Sequence, residues 1–284
     1  MPYLKDVKYS REETIAVIRD FYQFLTKLYL PESAIVEPPP EGWPTITKEK
    51  FSPLGKSDEV IELLRHLPYI REPPDDKYRL YGGPFIHLQD WRSGRENQAL
   101  LEGDGEGLKV ITEGWQAFET TPPDVIGLTS GGRDYAAFLL DTHLGVIYWN
   151  DHSNRTVQEN PSRERILDEP DDYAPEEQHD WRWEPAWAIA DFFEVIKDEY
   201  RSLHFVPLSW REVTDIYMIY SENEEGMLPM MQEIYRQHGW PNLDVYRKED
   251  CLKAVREALK EHYPDIAWDD TTVEEYEDCI KRKG

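Results

Sequence analysis

Asp141, His143, Asp151 and His152 are residue types that could do chemistry together, because carboxylate and imidazole are common ligands of zinc and related ions. They bracket two apolar runs, Tyr135–Leu140 and Val146–Trp149, which read as strands joined by a short turn with Gly145 on its far side. Asp141 and His143 then sit at the turn, whereas Asp151 and His152 lie past the far end of the returning strand. About six residues at ~3.3 Å each separate the two pairs by roughly 20 Å. One ion cannot reach both, so these are expected to be turn and strand-end polar residues.

Glu102, Asp104, Glu106, Gly107 and Glu113 have the oxygen and glycine spacing of a calcium-binding loop. The first position is too long as Glu, the eighth is Lys109, and neither flank reads as a helix. A flexible acidic glycine loop is expected. Gly131-Gly132-Arg133-Asp134 resembles an anion nest, but no helix follows to supply the donors. No nucleophile elbow, phosphate loop or His-Glu-x-x-His occurs. Cys251 and Cys279 have no metal-ligand spacing and read as reduced helix residues. No catalytic residue, metal ligand or cofactor is assigned.

The stronger signal is a binding signal. Asp168, Glu169, Asp171, Asp172, Glu176 and Glu177 lead into Trp181 and Trp183. Aromatic rings beside charge are the usual composition of an interaction hot spot, the ring filling a pocket and the charge steering the partner. These eight residues are the expected partner-binding set. Trp187, next in line, is expected in the stripe of a helix over Ala186–Leu203.

Several elements must position this segment. Ser10 and Glu13 form a capping box before a helix carrying Ile15, Ile18, Tyr22 and Leu25, closed by Pro31. Ser57 caps a second helix ending before Pro68. Residues 72–122 read as short strands within long loops. A three-stranded meander over 124–150, beginning with Val125–Thr129, is the expected core. Residues 151–184 read as an exposed acidic loop. Helices are expected over Leu228–His238, Lys248–His262 and Thr271–Lys283.

Asp134-Tyr135, Phe138–Thr142, Gly145–Trp149 and Asp151-His152, with the later Trp187–Glu194 run, resemble the SUKH superfamily. That family includes fungal cell-wall-synthesis regulators and bacterial toxin-immunity proteins. The resemblance spans roughly 75 residues and implies an architecture, since its motifs are structural. The whole chain also resembles a group of filamentous-fungal proteins through Trp43-Pro44, Leu63–Ile70 and His238–Pro241, a likeness that brings no activity with it.

The 57 acidic and 32 basic residues give a formal charge of −25. That field repels nucleic acid and anionic lipid and favours a basic protein partner. No apolar run approaches the ~18 residues of a membrane span, so an intracellular location, cytoplasmic or nuclear, is expected. The expected fold is α+β, with a core over 1–205 and a helical extension over 206–284. Two functions follow. The first is a non-enzymatic binding or scaffold protein presenting an acidic surface. The alternative is a hydrolase-like small-molecule enzyme with a pocket between the sheet and the C-terminal helices.

Overall fold

A computed structural model describes residues 2–131, 135–150, 162–216, 225–267 and 271–282, with Asn97 by its backbone alone. Asp151 and His152 lie outside the described residues, as do Gly132–Asp134. The chain is α+β, with several helices and small antiparallel sheets. It divides into two compact units: Met1–Phe21, Ile35–Arg71 and Phe85–Ile196 form the first, and Tyr22–Ala34, Glu72–Pro84 and Lys197–Gly284 the second. The sequence predicts one boundary near 205. The second unit takes in two further stretches through bonds that no local pattern reveals, such as Tyr246 Oη to Leu28 O (3.0 Å) and Tyr200 Oη to Gly82 O (3.0 Å).

In chain order the first unit draws on α1 (Arg11–Leu28, through Phe21), β1 (Ile35–Val36), α2 (Lys48–Phe51), α3 (Asp58–His66) and β2 (Tyr69–Ile70). Then come β3 (His87–Leu88), α4 (Gly94–Leu101), α5 (Gly105–Glu113), β4 (Val125–Gly127) and β5 (Thr129–Ser130). It closes with β6 (Ala137–Asp141), β7 (Val146–Asn150), α6 (Pro170–Tyr173), α7 (His179–Arg182), β8 (Ala186–Ala188) and α8 (Ile189–Arg201, through Ile196).

The main sheet is antiparallel in the order β4-β6-β7-β8. Phe138 pairs with Trp149, Leu139 with Tyr148, and Ile147 with Trp187. Because side chains alternate across a strand, the pairing sorts them onto two faces. Phe138, Trp149 and Trp187 surround Phe192 of α8, with Phe138 edge-on to it at 4.8 Å. Ala137, Leu139, Val146, Tyr148 and Ala186 pack with Trp181 on the other face. Both faces are covered, so β6 is buried along its whole length rather than alternating in exposure. Gly145 has φ of 75° and closes the β6–β7 turn against Tyr9, whose backbone N would sit 2.9 Å from a Cβ there. Only glycine meets both demands.

Three expectations are corrected here. Residues 94–113 form two helices rather than strands in loops. Asp104 accepts from Gly107 N at 3.0 Å as the cap of α5, and Gly105 lies against Pro53, where a Cβ would fall 2.2 Å from the carbonyl oxygen. Those glycines permit close packing; they do not mark a loop. Glu113 is fully buried and ion-paired with Lys56 at 2.5 Å, so the calcium-like spacing is turned to a cap and an interior pair. Finally, Ala186–Ala188 is a strand, because the open edge of β7 offers it backbone partners before the helix begins.

The second unit contains a hairpin, β9 (Phe205–Pro207) with β10 (Val213–Asp215), followed by α9 (Met227–Gln237), α10 (Lys248–His262) and α11 (Val273–Lys281). The three helices agree with the apolar periodicity; the hairpin was hidden in a stretch read as helical. Tyr235 Oη donates to Pro207 O at 2.9 Å, tying α9 to the hairpin. Among the described residues, no helix is long and apolar enough to cross a membrane.

Candidate functional site

The acidic stretch is a strap of short helical turns laid on one face of the main sheet. Pro170 starts α6, where Asp171 and Asp172 occupy the first turn and oppose the helix dipole favourably. A single 3₁₀ turn, Glu176–Gln178, leads into α7. The strap therefore has secondary structure where a plain loop was expected.

Arg182 fastens it. The guanidinium donates from Nη2 to Asp141 Oδ2 (3.0 Å), from Nη1 to Tyr148 Oη (2.8 Å) and from Nε to Gln178 Oε1 (2.9 Å). Asp141 Oδ1 accepts from the backbone N–H of His143 and of Leu144, each at 2.9 Å, so both oxygens of this buried carboxylate are engaged. Tyr173 of α6 reaches the same network through its hydroxyl, 3.0 Å from that of Tyr148. The cation also lies 4.3 Å from the centre of the Trp181 ring. Burial works against the charge on Arg182, but Tyr148 and Asp141 outweigh it and its pKa is raised. Burial also pushes the Tyr148 and Tyr173 hydroxyls up, so both stay protonated at neutral pH. Both hydroxyls take part in the network as hydrogen-bonding groups. Asp141, weighed first as a metal ligand, is here the anchor of a buried ion pair.

The predicted set divides. Trp181 is fully buried, edge-on to Tyr148 at 5.2 Å, and its Nε1 donates to Thr120 Oγ1 at 3.2 Å. Its expected direct contact with a partner is corrected, because its ring is the strap's own core residue. Asp168 is half-buried and accepts from Leu4 N at 2.8 Å. Glu169, Asp171, Asp172, Glu176 and Glu177 are exposed, and Asp180 joins them. Trp183 is 55% exposed. His179 Nε2 lies 3.0 Å from Ala174 O, and its Nδ1 lies 3.1 Å from Asp171 Oδ1.

Two residues that matter were not found in the sequence. Arg182 lies between Trp181 and Trp183, and nothing local in the sequence marks it as a buried anchor. Trp115 is 73% exposed, on the turn that also carries exposed Glu119 and the Thr120 that receives Trp181. The strap and that turn thus share a hydrogen bond and present a tryptophan each. Trp187, by contrast, is buried, with Nε1 donating to Arg163 O at 3.1 Å. Among the described residues, no group of three His, Cys, Asp or Glu is placed to hold a metal ion. Comparison with protein-family models, with curated proteins and with solved structures finds no match.

Proposed function

We propose that this chain is a non-enzymatic, SUKH-like binding protein whose acidic strap docks a basic segment of a protein partner. The observation that carries the proposal is an exposed Trp183 among six exposed carboxylates, on a strap fixed from beneath by buried Arg182. A tryptophan face attracts Lys or Arg by about 0.5–2 kcal/mol, and the carboxylates add steering and a charge-assisted rim. Because the network holds the strap before binding, little ordering cost falls on the complex. The four-stranded antiparallel sheet over 125–188 supports the SUKH-like part of the proposal.

The test is affinity capture from a cell lysate at low and high salt. The wild type is compared with a variant in which Asp171, Asp172, Glu176 and Glu177 become Asn or Gln. The proposal expects a basic protein retained by the wild type at low salt only, and lost by the neutral variant. A partner set unchanged by both salt and charge removal overturns it.

A further inference from the structure

Tryptophan is highly buried on average, and seven of the nine described here are buried or half-buried. The two exceptions are Trp183, on the strap, and Trp115, off it. One joint sets both. The turn over 115–120 follows α5 and is wound by bonds from Phe118 N to Gly114 O (3.1 Å) and from Thr121 N to Ala117 O (2.9 Å). It buries Ala117 and Phe118 and leaves Trp115 outside, with its ring 5.5 Å from that of Phe118. At the end of the turn Thr120 accepts from Trp181, and Trp183 stands two residues beyond. Ala117 and Trp181 belong to one apolar cluster against the sheet, so both sides of the joint are anchored in the core. Turn and helix rise keep the Cα atoms of Trp115 and Trp183 less than about 30 Å apart, a span that fewer than about ten extended residues cover.

The charge along this span has one sign at the surface. Residues 105–120 and 168–184 contain three basic side chains, Lys109, His179 and Arg182. Each lies against a carboxylate: Glu113 at 3.9 Å, Asp171 at 3.1 Å and Asp141 at 3.0 Å. Glu119 near the first tryptophan and Glu177 and Asp180 near the second are exposed. An anion is repelled at both rings. A purely apolar ligand takes water from the carboxylates and gives them no partner. A guanidinium meets both demands, laying its plane on the indole and turning its N–H groups to the acidic rim.

We infer that the docking face extends from the strap to the Trp115 turn, and that the basic segment it takes carries two arginines, one for each tryptophan. The inference rests on the strap reading and adds a second anchor to it. It is tested by calorimetric titration of the full chain at low salt with capped peptides of equal length and charge. Their two arginines are adjacent, or parted by two, four, six or eight Gly/Ser residues. One parted peptide should bind at least about fivefold tighter than the adjacent one, because its second arginine acts at a high effective concentration. Trp115→Ala should erase that advantage while leaving the adjacent peptide's affinity within about twofold, whereas Trp183→Ala weakens every peptide. Thermal unfolding without peptide checks that each variant is folded. Binding that Trp183→Ala weakens, but that ignores both arginine spacing and Trp115→Ala, overturns the inference and leaves the strap reading standing. Absence of binding by every peptide at millimolar concentration overturns both.

Discussion

Replacing Arg182 by Met removes the cation while keeping most of the side-chain volume, so it isolates what the guanidinium does. Asp141 is 1% exposed and would lose its only charged partner in the network, keeping the two backbone N–H groups on Oδ1. Breaking a buried pair from one side costs about 3–5 kcal/mol, and the retained donors place the expected loss near ~3 kcal/mol. Removing the Tyr148 hydroxyl alone, as Phe, deletes bonds from Arg182 and Tyr173 and is expected to cost about 1–2 kcal/mol. The pair Arg182→Met with Asp141→Asn should cost less than the sum of the singles by about 1–3 kcal/mol, because each single leaves the other group stranded. Urea unfolding followed by tryptophan fluorescence measures all of these, with an unchanged slope confirming that the unfolding reaction is the same. A loss below ~1 kcal/mol for Arg182→Met, or strict additivity, would refute the claim that this network fastens the strap.

Other outcomes follow from the same structure. Lys56→Met removes the closer of two cations from fully buried Glu113, which keeps Thr121 and, at 3.9 Å, Lys109, and should cost about 3 kcal/mol in urea unfolding; a surface-like cost would contradict the buried pair. Gly127→Ala places a Cβ 2.0 Å from Thr112 O and should lose about 1–3 kcal/mol, checked by thermal melting. Burial pushes the Cys251 thiol up from 9.0 to about 11, although its bond to Tyr246 works the other way. Between those values the unfolded chain releases a proton that the folded chain retains, so stability falls as pH rises through this window. Wild type should lose more stability than Cys251→Ala from pH 8 to about 10.5, and equal losses would remove the thiol from the account. A thiol reagent at neutral pH should modify half-exposed Cys279 and reach Cys251 only on unfolding.

The β6–β7 hairpin was legible because its apolar runs, Gly145 and the polar turn agree on one structure. The same holds for α3, whose Ser57 accepts from Val60 N at 3.3 Å as the sequence suggests. The failures share a physical cause: each is decided by a distant residue. Gly105 reads as loop until Pro53 is placed against it, and Ala186–Ala188 reads as the first turn of a helix until the edge of β7 stands beside it. In the strap, composition revealed the exposed carboxylates and Trp183. It did not reveal which tryptophan would be inside, because burial of Trp181 depends on Thr120 and Tyr148, 61 and 33 positions away. Arg182 was hidden for the same reason, its partner Asp141 lying 41 positions upstream.

The central claim is that the strap is a docking face for basic segments. Titrating the full chain with an Arg-Gly repeat nonapeptide, against an Asp-Gly repeat control, tests it most directly at about 50 and 200 mM salt. The account predicts saturable binding of the basic peptide alone. That binding should weaken as salt rises and weaken about tenfold further in Trp183→Ala, while Trp187→Phe, altered inside the core, leaves it nearly unchanged. Binding that ignores salt, equal affinity for the acidic peptide, or full affinity in both Trp183→Ala and the charge-neutral strap would contradict it.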